Sequence, residues 1–379
     1  MTIIDRYVLR TYAKVLVVCL FSLFGLFVVI DGFNNFDEFY TYGKRHSLGA
    51  PGVMAEYYAP RLLWFFDRTA GIVGMVAAGF VLTLLQRTNE LTAIVAAGIP
   101  PVRVVKPLLI ASLCVSLVAV ANREFGLPQV RDLLSKNAQD WLGEAARKCT
   151  PRYDIRTDIL IAGKATYAKE KRIAEPLFRL PPELAAWGRS IAADSAYYQA
   201  QTDERPGGYL VRGVKQPATL AALPSAALGG GSVLLSPADT PWLKPDECFV
   251  VSMLTFEQLS AGGAWRRYLS SYEIISGLYR QIIDPGADIR LTLHARLVQP
   301  LLDLSLVLLA IPLVLNRGGR NIFVVSLIGG GVVAGLMVVV LISHSLGVNY
   351  VLPSTTLAAW LPLLIFGPVA YVSGRRLWD

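Results

Sequence analysis

Glu90, Ala93, Ile94 and Ala97 stand at the i, i+3, i+4, i+7 spacing that gathers side chains on one face of a helix. Glu90 is the only acid between Asp67 and Glu124. A lone carboxylate among alanines suits docking, because small side chains let a partner approach closely. An arginine on that partner could then bind the carboxylate through two parallel bonds and fix the register. The plainer alternative is that Glu90 only favours its own helix start, worth about 0.3–1 kcal/mol through the helix dipole. On either reading the chemistry is contact and force transmission, without bond making.

Three other sets of residues could do chemistry. Arg68 and Asp303 lie inside apolar runs at similar depth, about 12 Å in at 1.5 Å per residue. Unpaired charge in hydrocarbon costs several kcal/mol. Either the two pair and pin their spans together, or Arg68 snorkels to headgroups while Asp303 stays neutral. Cys149 and Cys248 share a polar insert where oxidation is possible, and the sequence allows a disulfide or two free thiols. Cys19 and Cys114 sit in apolar runs and read as small packing residues. The third set is the catalytic motifs, and none is complete. Gly163-Lys164 is followed by Ala165 and lacks the upstream glycine of a phosphate loop. His46, His294 and His344 are scattered and form no metal spacing. No G-x-S-x-G or H-E-x-x-H occurs. The expectation is a chain that is not itself an enzyme and holds no metal or cofactor, with ATP and Mg on a separate ATPase.

Those residues must be positioned by membrane spans. The 379 residues have a mean hydropathy of +0.46, with 54% hydrophobic and only 17% charged, far from a soluble enzyme of this size. The net charge of +8 comes without any basic run interleaved with aromatics, so nucleic acid is not an expected partner. Six apolar runs are long enough to cross a membrane: Val15–Ile30, Leu62–Leu85 after Pro60, Val104–Ala121, Leu297–Leu315 after His294 and Arg296, Ile322–Ser343, and Leu357–Val372. Gly329, Gly330, Gly331 and Gly335 in the fifth would let neighbouring helices approach. Arg6, Arg10 and Lys14 form one stripe of a short interfacial helix ahead of the first span. A signal peptide is the competing reading, but Asp31–Phe39 offers no small-residue cleavage site.

Lysine and arginine gather at the amino end, in Gln86–Pro107, in Asn316–Asn321 and at Arg375 and Arg376, whereas Leu346–Thr356 carries none. Both termini are therefore expected in the cytoplasm. Gln86–Pro107 then forms a short cytoplasmic helix over 88–98, about three turns. Thr88 or Asn89 would cap it, and Gly98, Pro100 and Pro101 would end it. Such a helix is what a separate motor would push on.

The chain divides into 1–124, with the interfacial helix, spans one to three and the short 88–98 helix; 125–290, a polar insert; and 291–379, with spans four to six. Short β-prone runs mark the insert, among them Ile159–Ala162, Ala165–Ala168, Ala196–Ala200, Tyr209–Val214 and Phe249–Leu254. With turns such as Asp203–Gly208 between them, they suggest a sandwich or jelly roll on the outer face. Leu220–Ser236, rich in Ala, Gly and Ser, is expected to be a mobile loop. The fold class is thus membrane α-helical with six spans and an inserted periplasmic β-jelly-roll-like domain.

Several segments together resemble one family: IIDRYVLRTY at the amino end, DGFNNFDEF closing span one, NELTAIVAAGI, YLSSYEIISGL after the insert, HARLVQPLLDLSLVLLAIPLVL for span four, and LPSTTLAAWLPLLIF entering span six. They look like the permease subunit of the bacterial lipopolysaccharide-export ABC transporter, the LptF/LptG type. The order of three spans, β domain, three spans is also the family's. Asp67-Arg68 is a departure, where the family has an apolar, often proline-bearing start to span two.

The resemblance implies an inner-membrane subunit that pairs with a paralogous permease and is driven by a cytoplasmic ABC ATPase dimer. It would pass lipopolysaccharide, or a similar glycolipid, to a periplasmic bridge protein of jelly-roll units, with a single-span periplasmic accessory protein at one gate. Spans one and five would line the lateral gates. The substrate carries phosphates above acyl chains, so a gate would set cations over an apolar wall. Lys44, Arg45, Arg61 and Arg296 are the rim candidates; Phe27, Ile30 and Phe33 of span one and Val332, Leu336 and Val339 of span five are the wall candidates. These apolar residues could equally face bulk lipid. Two readings from other classes remain: a mechanotransmitting or lipoprotein-release ABC subunit, which usually has four spans, and a membrane-anchored scaffold without transport.

Overall fold

The computed structural model describes residues 2–44, 46–140, 143–202, 205–228, 231–260, 267–279, 286–315, 322–349 and 351–375. The chain forms two compact units, one of Met1–Phe36, Pro51–Pro128 and Pro285–Asp379, the other of Asp37–Ala50 and Gln129–Asp284. The insert expected over 125–290 therefore also takes in the segment that follows the first span.

Six helices of the structure are long and apolar enough to cross a membrane. Helix α1 (Ile3–Asn34) is continuous, so the short interfacial helix expected over 1–14 is simply its first turns. No breaking residue separates Lys14 from Val15, and Thr2 with Asp5 closes a capping box at its start. After α2 (Phe36–Gly43), α3 (Gly49–Arg87) runs through Pro60, which was expected to precede the span. Proline removes one amide bond, and the Arg61 guanidinium donates to the nearby Tyr57 carbonyl at 2.9 Å. Next come α4 (Glu90–Ala96) and α5 (Val102–Ala121). The helical path does not stop at Ala121. It continues through a π-helical turn, Asn122–Gly126, into α6 (Leu127–Leu134).

The insert holds strands β1 (Arg147–Lys148), β2 (Arg152–Asp154), β3 (Ile159–Ala162), β4 (Ala165–Tyr167), β5 (Arg172–Ala174), β6 (Leu177–Arg179), β7 (Ser190–Gln199), β8 (Gly208–Gln216), β9 (Ala226–Leu228), β10 (Gly231–Leu235) and β11 (Glu247–Val251). Short helices α7 (Phe256–Ser260) and α8 (Ser271–Tyr279) follow. Every pairing is antiparallel, in one sheet ordered β1-β4-β5-β7-β8-β11-β10-β9. A branch β2-β3-β6 joins it at β7. β7 makes the branch by pairing Ser190–Ala192 with β6 and Ser195–Tyr197 with β5 along one edge. Ile161, Phe178, Trp187, Tyr209 and Val211 fill the core beneath. The Trp187 indole N–H donates to the Pro224 carbonyl, and the Tyr209 hydroxyl to that of Leu254, so neither polar end is buried without a partner.

The loop expected over Leu220–Ser236 is instead the β9–β10 hairpin behind a 3₁₀ turn, with residues 229–230 outside the described set. Leu220, Val233 and Leu234 anchor it in the core. Their alternation was hidden among small residues.

The chain closes with α9 (Ala287–Leu315), α10 (Ile322–Val348) and α11 (Thr355–Arg375). α9 starts ten residues before the expected span, so His294 and Arg296 lie within it. The first unit's core joins α1, α3, α5, α9 and α10 through Val8, Leu82, Leu85, Leu108, Leu302 and Leu336. Asn316–Asn321 and Arg376, which contributed to the charge reading, lie outside the described residues.

Candidate functional site

The link between α3 and α5 is shorter than the three turns expected. α4 has seven residues, and neither proposed cap is used. Thr88 Oγ1 donates back to the Leu84 carbonyl at 3.1 Å, extending the preceding helix. Asn89 reverses the chain at φ 57°, a left-handed conformation that asparagine tolerates, with no side-chain bond to α4. Gly98 ends the element at φ 79°, as expected. Its amide bonds the Val95 carbonyl and that of Ile99 bonds Ile94.

Leu91 is buried, Glu90 and Ile94 are half-buried, and Ala93 and Ala97 are exposed. The four expected residues therefore present two small exposed side chains beside one accessible carboxylate. The start of α1 meets this link. The Tyr7 hydroxyl hydrogen-bonds Glu90. Asp5 Oδ1 lies 4.0 Å from Arg103 Nε.

The expected pair of Arg68 and Asp303 does not form. Arg68 is exposed, while Asp303 is buried against Gly71 and accepts from Gln299 Nε2 at 2.9 Å and from Ser116. Adjacent α3 residues point to different faces, so a shared depth did not bring these two charges together. The ion pair belongs to Asp67, one residue earlier, which meets Arg123 Nε at 2.8 Å. Asn122 Nδ2 donates to the Leu63 carbonyl at 2.9 Å, and Glu124 lies 3.9 Å from Arg296. Thus three consecutive residues of the π-helical turn reach α3 and α9. The signal available in sequence was the polar run Asn122–Glu124 directly after an apolar span.

The rim candidates are not one cluster. Lys44, in the second unit, lies over the Tyr40 ring at 4.7 Å. Arg61 covers the Tyr57 ring at 3.3 Å. Arg296 is mostly buried beside Glu124, which suits a structural ion pair better than an open cation. Arg45 lies outside the described residues.

Among the wall candidates, Phe27 stacks on Phe65 at 5.8 Å, whereas Ile30 and Phe33 are exposed. On α10, Val332 and Val339 are half-buried, but Leu336 is a buried member of the core and cannot serve as wall. The uncovered face of α10 carries Leu327, Val338, Leu341 and Ile342 instead.

Cover within the chain differs sharply among the spans. The most apolar window is 0% buried in α1 and 11% in α10, against 50% in α3 and 56% in α9. A Cβ added at Gly329, Gly330, Gly331 or Gly335 would meet nothing within 4 Å, so the close approach expected there is not made inside this chain.

Cys149 and Cys248 are free thiols buried in the same core. Burial pushes the Cys149 thiol up to about 11 and that of Cys248 up to about 12.

The family model described as "Lipopolysaccharide export system permease LptF/LptG" matches residues 6–172 and 200–376. Both units lie within that match, including α4, the π-helical turn and the uncovered faces of α1 and α10. No curated protein matches the chain.

Proposed function

Because this chain belongs to the LptF/LptG family of lipopolysaccharide export permeases, we propose that it is the membrane subunit of an ABC transporter that lifts lipopolysaccharide, or a similar glycolipid, from the inner membrane. The chain is a multi-pass inner-membrane permease component and not itself a catalyst. Both termini and α4 face the cytoplasm, and the β domain faces the periplasm, where it hands substrate to a bridge protein. ATP and Mg are held by a cytoplasmic ATPase dimer. A second, paralogous permease completes the cavity, and a single-span accessory protein borders one gate.

The observation that carries this reading is the uncovered apolar surface of α1 and α10. A protein whose work ended within its own bundle would gain by covering the spans evenly. Here the two least covered spans are those at which the family's lateral gates form, and α10 adds four glycines with open space above them. A partner helix packs there, and acyl chains pass between the two subunits. Glu90 with Ala93 and Ala97 meets the ATPase, and an arginine of the ATPase binds the carboxylate.

The test is purification of the chain with its partners, followed by mass spectrometry of the bound lipid. Retention of a soluble ATPase together with lipopolysaccharide is expected. A complex that retains no ATPase, or carries only bulk phospholipid while hydrolysing ATP, would overturn the reading. Within such a complex, Glu90→Ala should leave the protein inserted and the ATPase bound while lipid release falls. Full release by that variant would remove Glu90 as the anchor.

A further inference from the structure

α4 is two turns long, and a helix of that length is unstable by itself in water. Its first residue has no side-chain cap behind it. The direction of the Glu90 side chain must therefore be set by tertiary contacts, and the start of α1 supplies them. Val8 and Tyr12 are buried in the same core as Leu91, Val104 and Leu108. The Tyr12 hydroxyl reaches Ser112 Oγ at 3.1 Å and the Gly74 carbonyl at 3.4 Å, which ties this part of α1 to α3 and α5. One turn earlier, Asp5 closes the capping box with Thr2 and faces Arg103. Between these anchors stands Tyr7, whose hydroxyl reaches Glu90.

We infer that Tyr7 is the positioning residue of Glu90, holding its carboxylate in the direction from which a partner cation is met. This rests on the proposed docking role of Glu90. A carboxylate offers about four lone-pair sites, so one bond from Tyr7 leaves room for an arginine. The phenol is neutral and does not compete for that cation. Because Val8 and Tyr12 fix α1 on either side of the contact, a displacement of α4 also moves the start of the gate-lining span.

The experiment is a double-mutant cycle between Tyr7→Phe and Glu90→Ala in the full complex, reading lipid released per ATP hydrolysed. Phenylalanine keeps the ring, and an unchanged unfolding temperature verifies the fold. Tyr7→Phe alone should lower release per ATP about threefold to tenfold, the scale of one partly exposed hydrogen bond to a charged group. Added to Glu90→Ala, it should cost nothing further. If Glu90→Ala frees the ATPase, the same cycle is read on ATPase affinity. Tyr7→Phe with wild-type coupling, or losses that multiply in the double variant, would overturn the inference while leaving Glu90 as anchor. A silent Glu90→Ala would remove the docking role as well. The two failures are therefore distinct.

Discussion

Asp67 on α3 and Arg123 at the end of α5 meet at 2.8 Å, with side chains only 8% and 14% exposed. The π-helical turn makes this possible. One extra residue per turn re-aims three successive polar side chains, so Asn122, Arg123 and Glu124 all find partners on neighbouring spans. Spans two, three and four are thereby tied together.

Removing one member of that pair leaves an uncompensated charge. Asp67→Ala or Arg123→Ala should each lower stability by about 3–5 kcal/mol, and replacing both with leucine should recover most of the loss. Thermal unfolding in detergent measures this. Single variants that melt like the wild type would show that the pair is idle.

Gly71 is required by the Asp303 carboxylate, since a Cβ on Gly71 would land on it. Gly71→Ala should cost about 1–3 kcal/mol through overpacking, and Gly71→Ala with Asp303→Ala should relieve part of that. Unfolding temperatures that simply add would argue against the contact.

The glycines of α10 should behave in the opposite way. Gly331→Leu places a side chain in open space within this chain, so the isolated subunit should keep its unfolding temperature. Its recovery with the second permease subunit should fall severalfold if a partner helix packs there. Equal recovery of the variant complex would argue for a lipid-facing surface.

The two buried thiols should be slow to react. With Cys149 raised to about 11 and Cys248 to about 12, thiolate is scarce at pH 8, and maleimide should modify neither in the folded protein within minutes. Denatured, unreduced protein should take up label at both. An unfolded chain ionises these thiols first, so they oppose folding as pH rises from the ordinary thiol range through about 11 to 12, and have no such effect below it. Rapid native labelling at pH 8 would contradict the burial. Failure to label after denaturation would reveal a disulfide.

Hydrophobic runs made the six spans legible, because a stretch that long and apolar has few other stable environments. Helix ends were read less well. A helix continues past the hydrocarbon wherever its residues still allow it, and neither Pro60 nor Lys14 marks a boundary. β3 was legible from its own alternation, whereas the β9–β10 hairpin was missed because its small residues resemble a loop.

For the candidate site, the residue types of Gln86–Pro107 placed Glu90 on a short helix ended by Gly98, since that outcome depends on backbone preferences within a few residues. Sequence by itself determined the spans, the insert between the third and fourth, and the family. Tertiary structure alone decided the partners: Asp67 with Arg123, Asp303 against Gly71, Leu336 inside the core, and Tyr7 on Glu90. Depth along a helix is counted from sequence, but the face turned toward a neighbour depends on how the helices rotate and pack, and a one-residue step turns a side chain by about 100°. That rotation is why Asp67, and not Arg68, carries the buried charge.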